Sequence, residues 1–169
     1  YVILSNIKEN NTFSALFLAG ASSNDANHIS GPSRTGEGLY RAINKTLNRA
    51  GLKPQNVDYI QAHGTATLYN DEMESIAFNR LDLFDTPSNS FKAYIGHTLG
   101  AAGIVETIFA LKSLEENTLI QSLGYQEHGL TKPMQIITQN KNCELNTILK
   151  SASGFGGGNA ALLITKDLT

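Results

Sequence analysis

Apolar runs of helical period alternate with strand-like runs along this chain, and that alternation restricts it to a layered α/β fold. Residues 13–20 have the apolar content and length of a buried strand, and the stretch 21–32 after them is dense in turn formers. Leu39, Ile43, Leu47 and Ala50 fall at i, i+4, i+8 and i+11, one helix face that Gly51 closes as a C-terminal cap. Residues 57–62 read as a strand leading straight into His63-Gly64-Thr65-Ala66-Thr67. Asp71 stands as the N-cap of a following helix, with Glu74 three residues on as in a capping box. Residues 91–94 read as a short strand, and 100–116 as a helix whose buried stripe is Ile104, Ile108, Leu111 and Leu114. Two last apolar runs, 147–152 and 159–165, pair as a hairpin across a glycine-rich turn. The fold class is α/β, a mixed sheet flanked by helices.

A length of 169 residues fits one domain of about 100–200. Thirteen basic against 15 acidic side chains leave a net charge of −2, so no basic excess argues for nucleic acid or a membrane as partner. The uncharged stretch 93–105 holds His97 and three glycines and is too short to span a bilayer. The single cysteine, Cys143, excludes an internal disulfide framework and fits a reducing cytoplasmic location. The opening Tyr1-Val2-Ile3-Leu4-Ser5 lacks Met and a basic n-region, and reads as part of a longer protein without a secretory signal.

Two histidines carry the chemistry. His63 is followed by a glycine and two threonines, and His97 lies between Gly96 and Gly100. Neighbouring glycines permit close backbone approach, and two imidazole N–H donors converging on one carbonyl oxygen stabilise an oxyanion. A pair of structural histidines at strand ends is the other reading. A metal site on His63, His97 and Asp71 matches no short zinc signature. The run Gly154-Phe155-Gly156-Gly157-Gly158 leads into a strand, whereas a dinucleotide-binding glycine loop leads into a helix. Cys143 has polar neighbours and an adjacent Glu144 that disfavours a thiolate, so it reads as a plain thiol. His28 and His128 lie in polar loops and read as solvated.

Three segments resemble the elongating β-ketoacyl-acyl-carrier-protein synthases of the thiolase-like superfamily. They are His63-Gly64-Thr65-Ala66-Thr67, the run Lys92 to Gly103 with Gly96-His97 and Gly100-Ala101-Ala102-Gly103, and Gly154-Phe155-Gly156-Gly157 with Asn159. Their order and spacing match too. The likeness covers the second of that family's two α/β halves, so residues 1–169 read as a C-terminal thiolase-like domain. The nucleophilic cysteine of the family belongs to the first half. No permanently bound cofactor is implied, only the phosphopantetheine arm of an acyl carrier protein as substrate carrier.

The resemblance implies that His63 and His97 hydrogen-bond a malonyl thioester oxygen, with Lys92 supporting their charge balance. Thr65 and Thr67 would bind the phosphopantetheine arm and Phe155 would gate the acyl pocket. Asp71, Glu74 and Glu106 would hold the site from behind. The implied partners are acyl carrier protein, the first half, and a second chain in a homodimer or heterodimer. Leu68-Tyr69-Asn70, Ser153 and Gly158 depart from the family pattern, which bears on acyl-chain selectivity. A non-catalytic partner subunit of chain-length-factor type, or an acyl-carrier-binding domain, is the alternative function.

Overall fold

The computed structural model describes residues 13–29 and 31–167; the opening run 1–5 and Ser30 of the turn-rich loop lie outside the described residues. The strands are β1 (Ala15–Asn24), β2 (Tyr59–Gln61), β3 (Ser88–Asn89), β4 (Thr118–Leu119), β5 (Lys141–Asn142), β6 (Thr147–Gly154) and β7 (Gly158–Lys166). The helices are α1 (Glu37–Ala50), α2 (Leu68–Asn79), α3 (Lys92–Ile95) and α4 (Ala102–Glu116). One sheet runs in the order β1-β7-β6-β2-β3, and β4 and β5 form a separate ribbon. The β1/β7 and β7/β6 pairings are antiparallel, while β6/β2 and β2/β3 are parallel. The sheet is therefore mixed, as the sequence predicts.

The period of two along β6 assigns the layers. Leu149 joins Ile60, Ala62, Ala161 and Leu163 in a core with Leu39, Ile43 and Leu47 of α1 and Met73, Ala77 and Phe78 of α2. Ile148, on the opposite face, joins Tyr59 and Ile164 in a second core with Ala110 and Leu114 of α4. Helices thus cover both faces, which is why Tyr59, Ile60 and Gln61 are all buried rather than alternating. The predicted stripe of α1 is the buried one, each large side chain worth about 2 kcal/mol. Gly51 ends that helix in the left-handed region, its N–H on the carbonyls of Leu47 and Asn48.

Five expectations change. Residues 13–20 are not a buried strand: β1 is an edge with β7 as its one neighbour in the sheet, and Leu16, Phe17 and Leu18 are exposed. Its pairing continues to Asn24, so the start of the predicted loop is strand. Residues 91–94 form no strand; a helical turn closes when the Gly96 N–H bonds the Lys92 carbonyl at 2.8 Å, and four residues are too few for periodicity to decide. Asp71 is not an N-cap, because α2 begins at Leu68 after Thr67 and the Asp71 N–H already bonds the Thr67 carbonyl. Of the predicted stripe of α4, Leu114 is buried and Leu111 packs half-buried against the second core, but Ile104 and Ile108 do not join it. The face toward the sheet carries Ala102, Glu106, Thr107, Ala110 and Ser113, while Ile104 is 51% exposed. That face is polar because it delivers Glu106 to two buried ammonium groups.

Candidate active site

The parallel strands release the site at their C-terminal ends, where Ala62 passes into the His63 loop. Glu74 of α2 fixes that loop, its two oxygens taking the N–H groups of His63 (2.9 Å) and Gly64 (2.7 Å). Ser151 of β6 donates its hydroxyl to the same carboxylate at 2.9 Å. Gly64 has φ 48°, and a Cβ there would lie 2.5 Å from the Ser90 side chain, so only glycine fits. Ser90 Oγ in turn donates to the Gly64 carbonyl at 2.7 Å.

Three further elements converge on His63. Lys92 of α3 donates to the His63 carbonyl and lies 3.4 Å from its Nδ1. Its ammonium also meets Glu106 Oε1 of α4 at 2.5 Å. Lys150 of β6 meets the other oxygen of Glu106 at 2.8 Å. His97 follows α3, and its Nδ1 accepts the Leu99 N–H at 3.2 Å. The two imidazole rings stand edge to face with centroids 5.4 Å apart. With each Nδ1 facing a donor, the hydrogen-bond partners assign the ring proton to Nε2 on both histidines.

His63 is 5% exposed. Burial, then the charges of Lys92, Lys150 and His97, hold its pKa down to about 3, so the ring is a neutral donor at pH 7. The arrangement can present two N–H donors, the His63 one from a neutral ring, to one oxygen that gains negative charge.

Residues 14–126 match the family model described as beta-ketoacyl synthase, C-terminal domain. The chain belongs to the β-ketoacyl synthase family. It is 38% identical over 149 residues to 3-oxoacyl-[acyl-carrier-protein] synthase 2 of Rhizobium meliloti, covering 85% of this chain and 35% of that protein. It is 36% identical to a 3-oxoacyl-[acyl-carrier-protein] synthase homolog of Saccharomyces cerevisiae, covering 92% and 38%. A solved complex of a ketosynthase with its chain length factor from Xenorhabdus doucetiae matches at TM-score 0.84 and 35% identity, over 90% of this chain and 39% of that one. A complex of a type II polyketide acyl-carrier protein with its ketosynthase matches at 0.83 and 30%, over 90% and 38%. The chain thus spans little more than a third of these relatives, and its α/β fold is thiolase-like.

Not every residue of the ketosynthase motifs meets the histidine pair. The hydroxyls of Thr65 and Thr67 lie 2.8 Å apart, and neither bonds an imidazole. Phe155 is 84% exposed on the turn between β6 and β7, where Gly156 and Gly157 have φ 79° and 75°. Asn24 and Asp25 hold that turn through the carbonyls of Gly156 and Gly157, each at 2.8 Å. Ser153 Oγ donates to Asn159 Oδ1 at 2.8 Å. Cys143 is half-buried against the second core, its N–H on the Asn117 carbonyl. His28 is exposed, but His128 is half-buried with Nε2 2.6 Å from the Lys132 carbonyl, so the solvated reading fails for His128. Among the described residues no three His, Cys, Asp or Glu side chains group to hold a metal ion, and no helix is long and apolar enough to cross a membrane.

The motifs missed Lys150 and Ser151. Their signal was a lysine interrupting the apolar run from Ile148, an ion that a strand covered on both faces does not carry without a partner.

Asp71 lies beside Glu74, with one oxygen buried and without a hydrogen-bond partner. Burial, then the Glu74 charge, lifts its pKa from 3.8 to about 6 against the backbone N–H groups of Thr65 and Ala66. A carboxyl with a raised folded pKa binds more protons folded than unfolded, so its contribution to stability falls as pH rises from about 4 to 6. His63 has the opposite sign, because its folded pKa lies below 6.5 and the unfolded chain binds the extra proton. Asp71→Asn is therefore expected to stabilise the chain at pH 7 by on the order of 2 kcal/mol and to leave it unchanged near pH 3. Urea unfolding across this range checks it; a destabilised variant at pH 7 contradicts the burial account.

Proposed function

We propose that this domain supplies the decarboxylating side of a Claisen condensation that extends an acyl chain with malonyl-acyl-carrier-protein, in fatty-acid, polyketide or polyene synthesis. The carrying observation is the pair of imidazoles at 5.4 Å with both Nδ1 atoms engaged and both Nε2 protons left to donate. The malonyl thioester oxygen sits against those two donors. The bond to the carboxylate breaks, carbon dioxide leaves, and the electron pair passes to an enolate whose oxygen carries the charge. The enolate carbon then bonds the carbonyl of an acyl group held as a cysteine thioester, and the cysteine leaves as thiolate.

Cys143 lies against the second core and offers no such thioester, so the nucleophile comes from the remaining part of the protein, and residues 1–169 act as its C-terminal domain. Lys92 holds His63; Glu74, Glu106 and Asp71 keep the loop and Lys92 in place. Thr65 and Thr67 offer hydroxyls to the phosphopantetheine arm, and Phe155 flanks the acyl pocket as its gate. No resident cofactor takes part. The partners are acyl carrier protein, the first half, and a second chain in a homodimer or heterodimer. Exposed Leu99, Ile104 and Phe155 support a cover from that half over this face. The lone thiol supports a reducing, cytoplasmic location.

The test is the complete protein mixed with acyl-loaded and malonyl-loaded carrier protein, with products read by mass spectrometry. A product longer by two carbons is expected, and none from the 169-residue chain alone. Absence of both extension and carbon dioxide release from the complete protein overturns the proposal. Carbon dioxide release without extension identifies the non-catalytic partner subunit.

A further inference from the structure

Lys150 is a buried cation that the proposed reaction does not use. It lies on β6, 2% exposed, on the sheet face toward α4. Its Nζ lies 2.8 Å from Glu106 Oε2 as an ion pair, that oxygen being buried without a hydrogen-bond partner, and donates to the Ser151 carbonyl. Gln61 is its register partner on β2, so the two side chains share one face, and Gln61 Oε1 is buried without a hydrogen-bond partner. The next residue, Ser151, points to the opposite face and gives its hydroxyl to Glu74. Two adjacent residues of one strand thus touch both carboxylates that set the His63 loop.

Burying an ammonium is unfavourable by several kcal/mol before any partner acts, and an apolar side chain would fill this site without that term. The retained charge needs an electrostatic account. Glu106 bridges two ammonium groups, Lys92 on one oxygen and Lys150 on the other. Without a second cation, either oxygen of Glu106 is open to Lys92. With Lys150 on Oε2, Lys92 stays on Oε1 and remains on the carbonyl and the Nδ1 side of His63.

We propose that Lys150 is a positioning residue: its ion pair with Oε2 of Glu106 keeps Lys92 on Oε1, so that Lys92 remains on His63 and the ring keeps its proton on Nε2. This rests on the functional reading of His63, but its test does not need turnover. The ionisable groups around Lys150 are Glu106 of α4, Lys92 of α3, Glu74 of α2 and His63 itself, and Tyr59 of β2 faces Glu106. Burial pushes the Lys150 pKa down and Glu106 opposes it. The charges of Lys92 and Lys150 both lower the His63 pKa.

The experiment is nitrogen-15 NMR of the side chains in the 169-residue chain. In the unsubstituted chain, Lys150 is expected as an ammonium at pH 7 and His63 as an Nε2-protonated ring that does not titrate between pH 5 and 8; a neutral Lys150 amine overturns the proposal. Lys150→Met removes the charge at similar volume. His63 is then expected to titrate about one unit or more higher and to populate the other tautomer. Lys150→Ala leaves a hole edged by oxygens, which methylammonium chloride is expected to refill, restoring the original His63 spectrum where choline chloride does not. An unchanged His63 in folded Lys150→Met, or no difference between methylammonium and choline in the alanine variant, overturns it. If Lys150→Met does not fold, Lys150→Arg decides: the charge keeps the original His63 spectrum, and a shifted one overturns the proposal. A complete protein that releases no carbon dioxide while His63 responds as described sinks the functional reading and leaves the positioning role standing.

Discussion

His97→Ala in the complete protein is expected to slow carbon dioxide release from malonyl-loaded carrier protein by about 10²–10³-fold, the usual loss for one fixed donor to a developing oxyanion. His97 is the cleaner of the two positions. Its ring is exposed and its described hydrogen bond is to the neighbouring Leu99 N–H, so the fold survives its removal. His63→Ala removes a donor and also empties a buried position, so loss of reaction and loss of stability arrive together. His97→Gln restores an N–H of similar reach and should recover part of the rate. Single-turnover release with substrate in excess separates the effect from carrier binding. A loss of less than tenfold in folded His97→Ala means that the ring does not face the reacting oxygen.

Glu106→Gln is expected to destabilise the chain by about 4 kcal/mol at pH 7, and Lys92→Met by roughly half as much. Both Glu106 partners are buried, at 8% and 2% side-chain exposure, so neither gains much from water when the carboxylate is lost. The glutamine strands two ammonium groups, whereas Lys92→Met leaves Glu106 and Lys150 as a one-to-one pair. The pH dependence carries its own sign. Burial already lowers the Lys150 pKa, and without Glu106 it falls further. A base with a depressed folded pKa binds fewer protons folded than unfolded, so Glu106→Gln regains stability as pH rises toward 10.5, the ordinary lysine value. Urea unfolding of both variants from pH 6 to 10 reads the order and the slope. Equal losses, or a slope of opposite sign, contradict a shared buried carboxylate.

Residues whose role follows from local chemistry were legible. The α1 stripe of Leu39, Ile43 and Leu47 is buried as its spacing requires, and Gly51 caps it. The β6–β7 hairpin follows from two apolar runs around glycines. His63, His97, Lys92 and Glu106 stood out because their neighbours form family motifs, and these four do come together.

Elsewhere the same rules failed for one reason. Ile104 and Ile108 have helical spacing, but periodicity says only that a helix has two faces, not which one meets the sheet. On α4 the face carrying Glu106 does, because Lys92 and Lys150 wait there. Phe17 and Leu18 make an apolar strand, and whether it is central or an edge depends on how many neighbours it gains. Asp71 lost its capping role because Thr67, four residues earlier, caps the helix.

The chain's own letters therefore determined the class of fold, the family and the two imidazoles, since each follows from short local patterns and from their order along the chain. Tertiary structure alone decided the bridging of Glu106 by Lys92 and Lys150, the pairing of Ser151 with Glu74, and the neutral state of His63. Those depend on groups up to 87 positions apart meeting in a space from which water is excluded, and a buried charge takes its character from what surrounds it.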